Sequence, residues 1–330
     1  MLLEMKEFFV QDAARFENCT VTTYFVLSSM QVREKKQGGQ YLALIVSDRT
    51  GSLEARMWDD VADPIAYCSE GCYVKVQGDI SKYQGKYQIT LKKLRLAADS
   101  EIDPTDFQPA TKFDVEEMWA ELRGYVSAFQ NSDLRRLVFS FLDDERIGPA
   151  FKSAPAAKRL HHAWLGGLLE HVVTLVRVCL AAAPFYPEVD RDLLVTGAIL
   201  HDIGKVRELE WNSSFSYTLE GQMVGHISIA QGMLREKVKE IAPFPEKLTL
   251  LVEHMILSHH GKYEFGSPKL PMTPEAILLS ALDDLEAKMQ ALRNEFAAAE
   301  AVGKGPDEVT EWVRSMDRAL LDSKKFLKGD

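Results

Sequence analysis

Residues 194–205 read LVTGAILHDIGK, and residues 281–289 read ALDDLEAKM. The first phrase decides the fold of most of the chain: an apolar run with helical spacing delivers a His201-Asp202 doublet. All eight histidines lie between His161 and His260, with none in the first 160 residues or the last 70. Histidine is a frequent metal ligand and the usual proton carrier near neutral pH. Its confinement to one block points to a metal site built on one domain. Neighbouring helical residues point about 100° apart, yet their side chains can converge on an ion over the edge they share. A histidine beside a carboxylate offers borderline nitrogen and hard oxygen, suited to Mn²⁺, Fe²⁺, Co²⁺ or Zn²⁺.

Outward from the doublet, helical periodicity continues. DVEEMWAELRGYVSAF opens with an Asp114 N-cap candidate and acids in its first turn. Further helices are expected over 132–143, 160–183, 191–208, 223–240, 246–259, 273–297 and 306–325, so residues 114–330 read as an all-α domain. The first 97 residues read differently. TVTTYFVLSSMQVR, YLALIVSD, SLEARMW, CYVKVQGDI and the hairpin-like SKYQGKYQITLKKLRL are short β-rich runs separated by Gly-containing turns, the pattern of a small all-β barrel. Between the two domains, residues 98–113, with two prolines and no periodicity, read as a linker.

A length of 330 residues fits two domains with sizeable cores. Hydrophobic content of 46% and charged content of 27% are those of a soluble protein, and apolar runs shorter than a membrane span argue against a membrane partner. MLLEMKEFFVQD has acids inside its apolar run and no cleavage pattern, so no signal peptide is expected. The four cysteines are scattered without a CxxC pair, consistent with reduced thiols in a cytoplasm. The net charge of −10 argues against non-specific duplex binding through a broad basic surface. It leaves room for a local groove that follows a single strand, because residues 1–100 hold 13 basic and 13 acidic side chains and therefore balance.

Two resemblances sharpen this reading. The order of strand, basic turn and YLALIVSDRTGSLEARMWDD resembles the nucleic-acid-binding OB fold over roughly residues 18–97. The order His171, His201-Asp202, Asp283 resembles the HD superfamily of metal-dependent phosphohydrolases, an all-α family that builds its site from helices distant in sequence. That resemblance implies His171, His201, Asp202 and Asp283 as ligands of a first metal. Asp284 is a close competitor for Asp283, and Glu286 stands where the family has a second acid of another type. Members with two metals add later histidines. His226 in GQMVGHISIAQG and His259-His260 in HMILSHHGKYEFGSP fit those places, with His254 ranked below them. The resemblance assigns Lys205 to a phosphate oxygen. His161 and His162 are candidates for contacting phosphate or protonating the leaving oxygen, with a structural role equally open.

HHAWLGGLLEH, LHDIGK, GHISIAQG, LSHHGKYEFGSP and DDLEAKM together are similar to the YhaM-type 3′–5′ exoribonucleases, over nearly the whole chain. This implies a divalent-metal-dependent nuclease with one or two ions, Mn²⁺ first among Fe²⁺, Co²⁺, Mg²⁺ and Zn²⁺. Its substrate would be single-stranded RNA or DNA, and the resemblance allows a homo-oligomer. Asp202 would bridge the metals or act as the base. In the barrel, Tyr41, Trp58, Tyr83 and Tyr87 are candidates for stacking bases, and Lys35, Lys36, Lys82, Lys86, Lys92 and Lys93 for phosphates. Strand alternation sends Trp58 and half of the tyrosines to the core. Three other readings compete: an HD-type phosphodiesterase acting on cyclic dinucleotides or other nucleotides, a di-iron HD-fold oxygenase, and a binding module with an inactive helical domain.

Overall fold

A computed structural model describes residues 6–35, 38–83, 85–157, 162, 164–211, 215–301 and 304–328 (at 99, 104 and 301, the backbone alone). It divides into two compact units, Met1–Ala110 with Trp211–Phe215, and Thr111–Glu210 with Ser216–Asp330.

The first unit is a closed five-stranded barrel. Its strands are β1 (Thr20–Glu34), β2 (Gln40–Asp48), β3 (Gly51–Met57), β4 (Tyr73–Tyr83) and β5 (Lys86–Leu96), in the order β1-β2-β3-β5-β4. Only the β3–β5 pair is parallel. A short helix, α1 (Ala62–Tyr67), fills the β3–β4 connection. Alternation sends Leu42, Leu44 and Val46 of β2, and Leu53, Ala55 and Met57 of β3, into one core with Phe25, Val74, Ile80 and Ile89. The β4–β5 register shifts at Gln77/Gly78. A side chain at Gly78 would collide with the Thr90 carbonyl, so glycine lets the sheet turn its corner there.

The linker reading of 98–113 meets a different structure. Short three-ten turns at Asp99–Glu101 and Pro104–Asp106 carry Ile102 and Phe107 onto Tyr24, Val26 and Tyr73 outside the barrel. Tyr24 and Val26 point away from the core, and covering them draws the following chain down. The unit boundary therefore falls after Ala110.

The second unit is helical: α2 (Val115–Ser127), α3 (Ser132–Leu142), α4 (Ile147–Ser153), α5 (Gly167–Ala182), α6 (Arg191–Leu200), α7 (Lys205–Glu208), α8 (Leu219–Val224), α9 (His226–Glu240), α10 (Glu246–Ser258), α11 (Pro274–Ala301) and α12 (Ser323–Phe326). A two-residue ladder, β6 (Leu209–Glu210) with β7 (Ser216–Tyr217), interrupts it. Asp114 caps α2 by accepting from the amides of Glu116 and Glu117. Helix α5 is the core helix, packed against α2, α4, α6 and α11. By length and composition Gly167–Phe185 could cross a membrane, an exception to the expectation from apolar run length; half of it is buried inside the unit.

The expected helices break where the site needs turns. The 191–208 run stops at Leu200 and resumes at Lys205. The 223–240 run is cut at Gly225, whose φ of 77° ends α8 and starts α9 at His226. The helix expected over 306–325 is absent apart from α12. The chain instead doubles back, with Thr310 N–H donating to Leu320 O and Val313 N–H to Arg318 O, and tucks Val313 away from water.

Candidate metal centre

Four helix ends or first turns and one mid-helix position bring the expected residues together. His171 lies in the first turns of α5, His201 and Asp202 follow α6, His226 starts α9, His259 and His260 follow α10, and Asp283 lies within α11. Glycine makes the convergence possible at one point. A side chain on Gly204 would strike the His226 carbonyl, so the doublet turn and the α9 start meet only because position 204 has none.

Asp202 is the pivot, and its two carboxylate oxygens face different groups. Oδ2 lies 3.3 Å from His201 Nε2 and 4.0 Å from His171 Nε2. Oδ1 lies 3.4 Å from His226 Nε2 and 3.7 Å from His259 Nε2. Asp283 Oδ1 completes the first group, 3.3 Å from His171 Nε2 and 3.7 Å from His201 Nε2. His260 joins the second, its ring centroid 4.3 Å from that of His259 and 5.3 Å from that of His226. Donors held about 2.0–2.2 Å from one divalent ion lie about 3–3.5 Å from each other, and the separations here, 3.3–4.0 Å, range from that spacing to slightly wider.

The opposite ring nitrogens point outward to fixed acceptors. His171 Nδ1 meets Glu286 Oε2 at 2.7 Å and His226 Nδ1 meets Glu208 Oε1 at 3.0 Å. His201, His259 and His260 present Nδ1 to the carbonyls of Ala198, Ile256 and Phe265 at 3.0, 2.8 and 2.8 Å. A proton on each Nδ1 leaves the Nε2 lone pairs facing inward, the tautomer that metal-ligating histidines adopt. His171 Nε2 and His201 Nε2 then face each other at 3.3 Å, an arrangement that either a proton or a metal ion between them satisfies. Among the described residues, Asp202 Oδ1, His226 Nε2 and His259 Nε2 are buried without a hydrogen-bond partner. All three point at the same space, and a divalent ion would satisfy them.

The electrostatics agree. Burial opposes charge on His171, but Asp283 and Glu286 outweigh it and lift the imidazolium to about 10. The surroundings thus stabilise a cation at that point. Burial pushes His259 well below its usual range and His260 below it, which keeps both rings neutral and able to donate lone pairs. Burial would raise Asp202, but Lys205, His201 and His226 hold it well below the carboxylate range.

Several expected contacts take another form. Lys205 is buried and its Nζ lies 2.6 Å from Asp202 Oδ2, so its first partner is that carboxylate. His162, a candidate for phosphate, is 1% exposed. Its Nε2 lies 2.9 Å from Glu286 Oε1 and its Nδ1 3.6 Å from Glu170 Oε1. It therefore faces two carboxylates in the interior. His254 accepts from the Met272 amide at 2.9 Å and stands apart from both groups. Asp284 is salt-bridged to Lys288 on the outside of α11. His161 and Lys36 lie outside the described residues. Sequence reading missed Glu208 as the partner of His226; an acid three residues beyond Lys205 gave no signal of its own.

On the barrel, Tyr41 and Trp58 stack at 4.6 Å between ring centroids and 24° between planes. Trp58 is 39% exposed, so it is not the core residue that alternation implied. β3 ends at Met57 and frees it. Lys35, after β1, lies 2.9 Å from Asp59. Tyr83 and Lys86 are exposed and paired across the β4–β5 hairpin tip, whereas Tyr87 donates to Glu17 and Lys92 pairs with Asp79. The outer faces of β1, β2 and β3 form a groove lined by Gln31, Arg33, Ile45 and Arg56. These residues escaped notice because they belong to no motif, although alternation places them outside. The β1–β2 loop, the β4–β5 loop and the β2–β3 face are where OB folds hold oligonucleotides.

Comparison with known proteins agrees with both units. Residues 168–288 match the HD domain family, and residues 29–97 match a family described as OB-fold nucleic acid binding domain. A protein from Geobacillus sp. (strain WCH70) named 3′-5′ exoribonuclease YhaM is 38% identical over 299 residues, 90% of this chain and 90% of its own. The protein of the same name from Bacillus subtilis (strain 168) is 36% identical over 310 residues, 93% of this chain and 96% of its own. With an OB barrel and an HD domain in that order and identity of this level along nearly its whole length, the chain belongs to the YhaM 3′–5′ exoribonuclease family.

Proposed function

We propose that this protein removes nucleotides from the 3′ end of single-stranded RNA by hydrolysis at a divalent-metal centre. The observation that carries the reading is Asp202, whose two buried oxygens each face a separate group of inward-pointing histidine nitrogens. His171, His201, Asp202 and Asp283 would hold one ion, and Asp202 with His226, His259 and His260 a second. Nitrogen and hard oxygen together suit Mn²⁺. When bound, such ions supply Lewis-acid activation of water and polarisation of the phosphoryl oxygens.

The chain's own residues do the rest. Asp202 ties the two groups together, and the Lys205 ammonium fixes its orientation and balances its charge. Glu286 and Glu208 hold His171 and His226 in one tautomer and one direction. The barrel would hold the strand, with the Tyr41–Trp58 stack as a base platform and Lys35, Tyr83 and Lys86 at the loops. The four cysteines, none of them in a disulfide, support a cytoplasmic location.

The test is a 5′-labelled single-stranded RNA incubated with the protein and Mn²⁺, with EDTA and Asp202→Ala as controls. A ladder shortening from the 3′ end, absent from both controls, is the expected result. RNA left intact with Mn²⁺, Fe²⁺ and Co²⁺ in turn would overturn the reading, and a single-stranded DNA arm would set the preference between the two polymers.

A further inference from the structure

The turn that follows the last two histidines is built unlike an ordinary surface loop. Tyr263–Phe265 forms a three-ten turn in which Tyr263 is 65% and Phe265 57% exposed. Exposed loop aromatics are usually mobile, but here the backbone is pinned on every side. The Phe265 carbonyl takes the His260 Nδ1–H at 2.8 Å, and the Phe265 amide donates to Lys262 O at 3.1 Å. Beyond it, the buried Ser267 hydroxyl bonds to the carbonyls of Leu257 and Lys269 at 3.1 and 2.8 Å. Gly261 and Gly266, with φ of 75° and 84°, bracket the turn. The same element thus orients an inward histidine and displays two aromatic faces to solvent. Lys262 holds its Nζ 5.1 Å from the Phe265 ring centroid and 3.4 Å from Glu264 Oε1, with its side chain 62% exposed. Leading into His226 of the second histidine group, α8 leaves Leu219, Met223 and Val224 exposed.

Rigid aromatic faces with an exposed ammonium beside them match a nucleotide: stacking takes the base and the cation takes the phosphate. A hydrophobic peptide offers nothing to the ammonium, whereas a phosphate can draw it away from Glu264. We propose that the Tyr263–Phe265 turn is a stacking subsite for the 3′-terminal base of the strand, with Lys262 against its phosphate. The inference rests on the nuclease reading above. It accounts for a geometry that hydrolysis alone does not require: the backbone of the turn is bonded to His260, so engagement of the terminal base and the direction of that ring are mechanically linked.

The test compares the wild-type protein with the Tyr263→Ala/Phe265→Ala double variant. The substrates are two RNAs, one with an ordinary 3′-terminal nucleotide and one with an abasic residue there. The double variant should raise KM for the ordinary strand by about fivefold to a hundredfold, with kcat changed less. The wild type should lose a similar factor on the abasic strand, and the double variant should lose nothing further on it. Tyr263→Phe with Phe265→Tyr should restore wild-type behaviour, and calorimetry should show Mn²⁺ affinity unmoved. A double variant that discriminates the abasic strand as the wild type does would overturn the inference. So would Mn²⁺ affinity falling in step with KM, since the damage would then lie in the metal centre. A change in sedimentation of the double variant would reassign the patch to a contact between copies of the chain. If the wild type leaves both RNAs intact, the nuclease reading fails and the inference falls with it.

Discussion

The two units place polar side chains in opposite ways. In the helical unit, His171, His201, Asp202 and His259 are each at most 4% exposed, and every inward histidine has a fixed acceptor behind it. In the barrel, Lys35, Lys86, Tyr83 and Trp58 lie at strand ends and loop tips with few partners. A buried polar group left unpaired costs about twice the net worth of an ordinary hydrogen bond, so the centre must be built by many residues at once and cannot be changed piecemeal. A surface that follows a polymer sums small contacts, and each can be lost alone.

That contrast can be broken at four points. The largest effect is expected from Asp202→Ala, which removes the atoms shared by both histidine groups. RNA shortening should fall to the uncatalysed background while strand affinity, measured by filter binding or anisotropy, stays within about twofold. Loss of affinity in proportion to activity would show that the helical unit holds the strand as well. Next comes Glu286→Ala. Its carboxylate links His162 to His171, and outer partners of ligating histidines are worth about ten- to a hundredfold in metal affinity. Calorimetric titration with Mn²⁺ should show that loss, and unchanged affinity would remove Glu286 from the centre.

Smaller still is the expected effect of Tyr41→Ala. It dissolves the Tyr41–Trp58 stack and should weaken single-strand binding by about tenfold, with Mn²⁺ affinity unaltered. Lys35→Ala should come last, at about twofold in affinity and less than one unit in the salt-dependence slope. Its ammonium is already paired with Asp59 at 2.9 Å, so part of its charge is neutralised before any phosphate arrives. A full unit of slope would mean that this pair opens when the strand binds.

How much of this could be read beforehand follows the same physics. Alternating β-rich runs define the barrel because one face of every strand must be buried, and this holds for Leu42, Leu44, Leu53 and Ala55. The doublet and the clustered histidines point to the candidate centre because residue chemistry is legible without the fold, and the structure brings most of them together. The 306–325 segment was misread because its spacing suits a helix while its backbone is paired across a turn. The 98–113 stretch contains the unit boundary, and the packing of Ile102 and Phe107 on the barrel was not legible because a linker and a covering strap share a composition.

The sequence alone determined the two folds and their order, and singled out side chains that the fold brings together, since periodicity and residue chemistry are local properties of the chain. Only the tertiary structure decided that Asp202 stands between two groups, that Lys205 is engaged by it, that His162 is walled off behind Glu286, and that Tyr263 and Phe265 are displayed on a pinned turn. These depend on distances between residues separated by up to 124 positions. Packing and the pairing of buried charges set those distances, and neither is written in any one stretch of sequence.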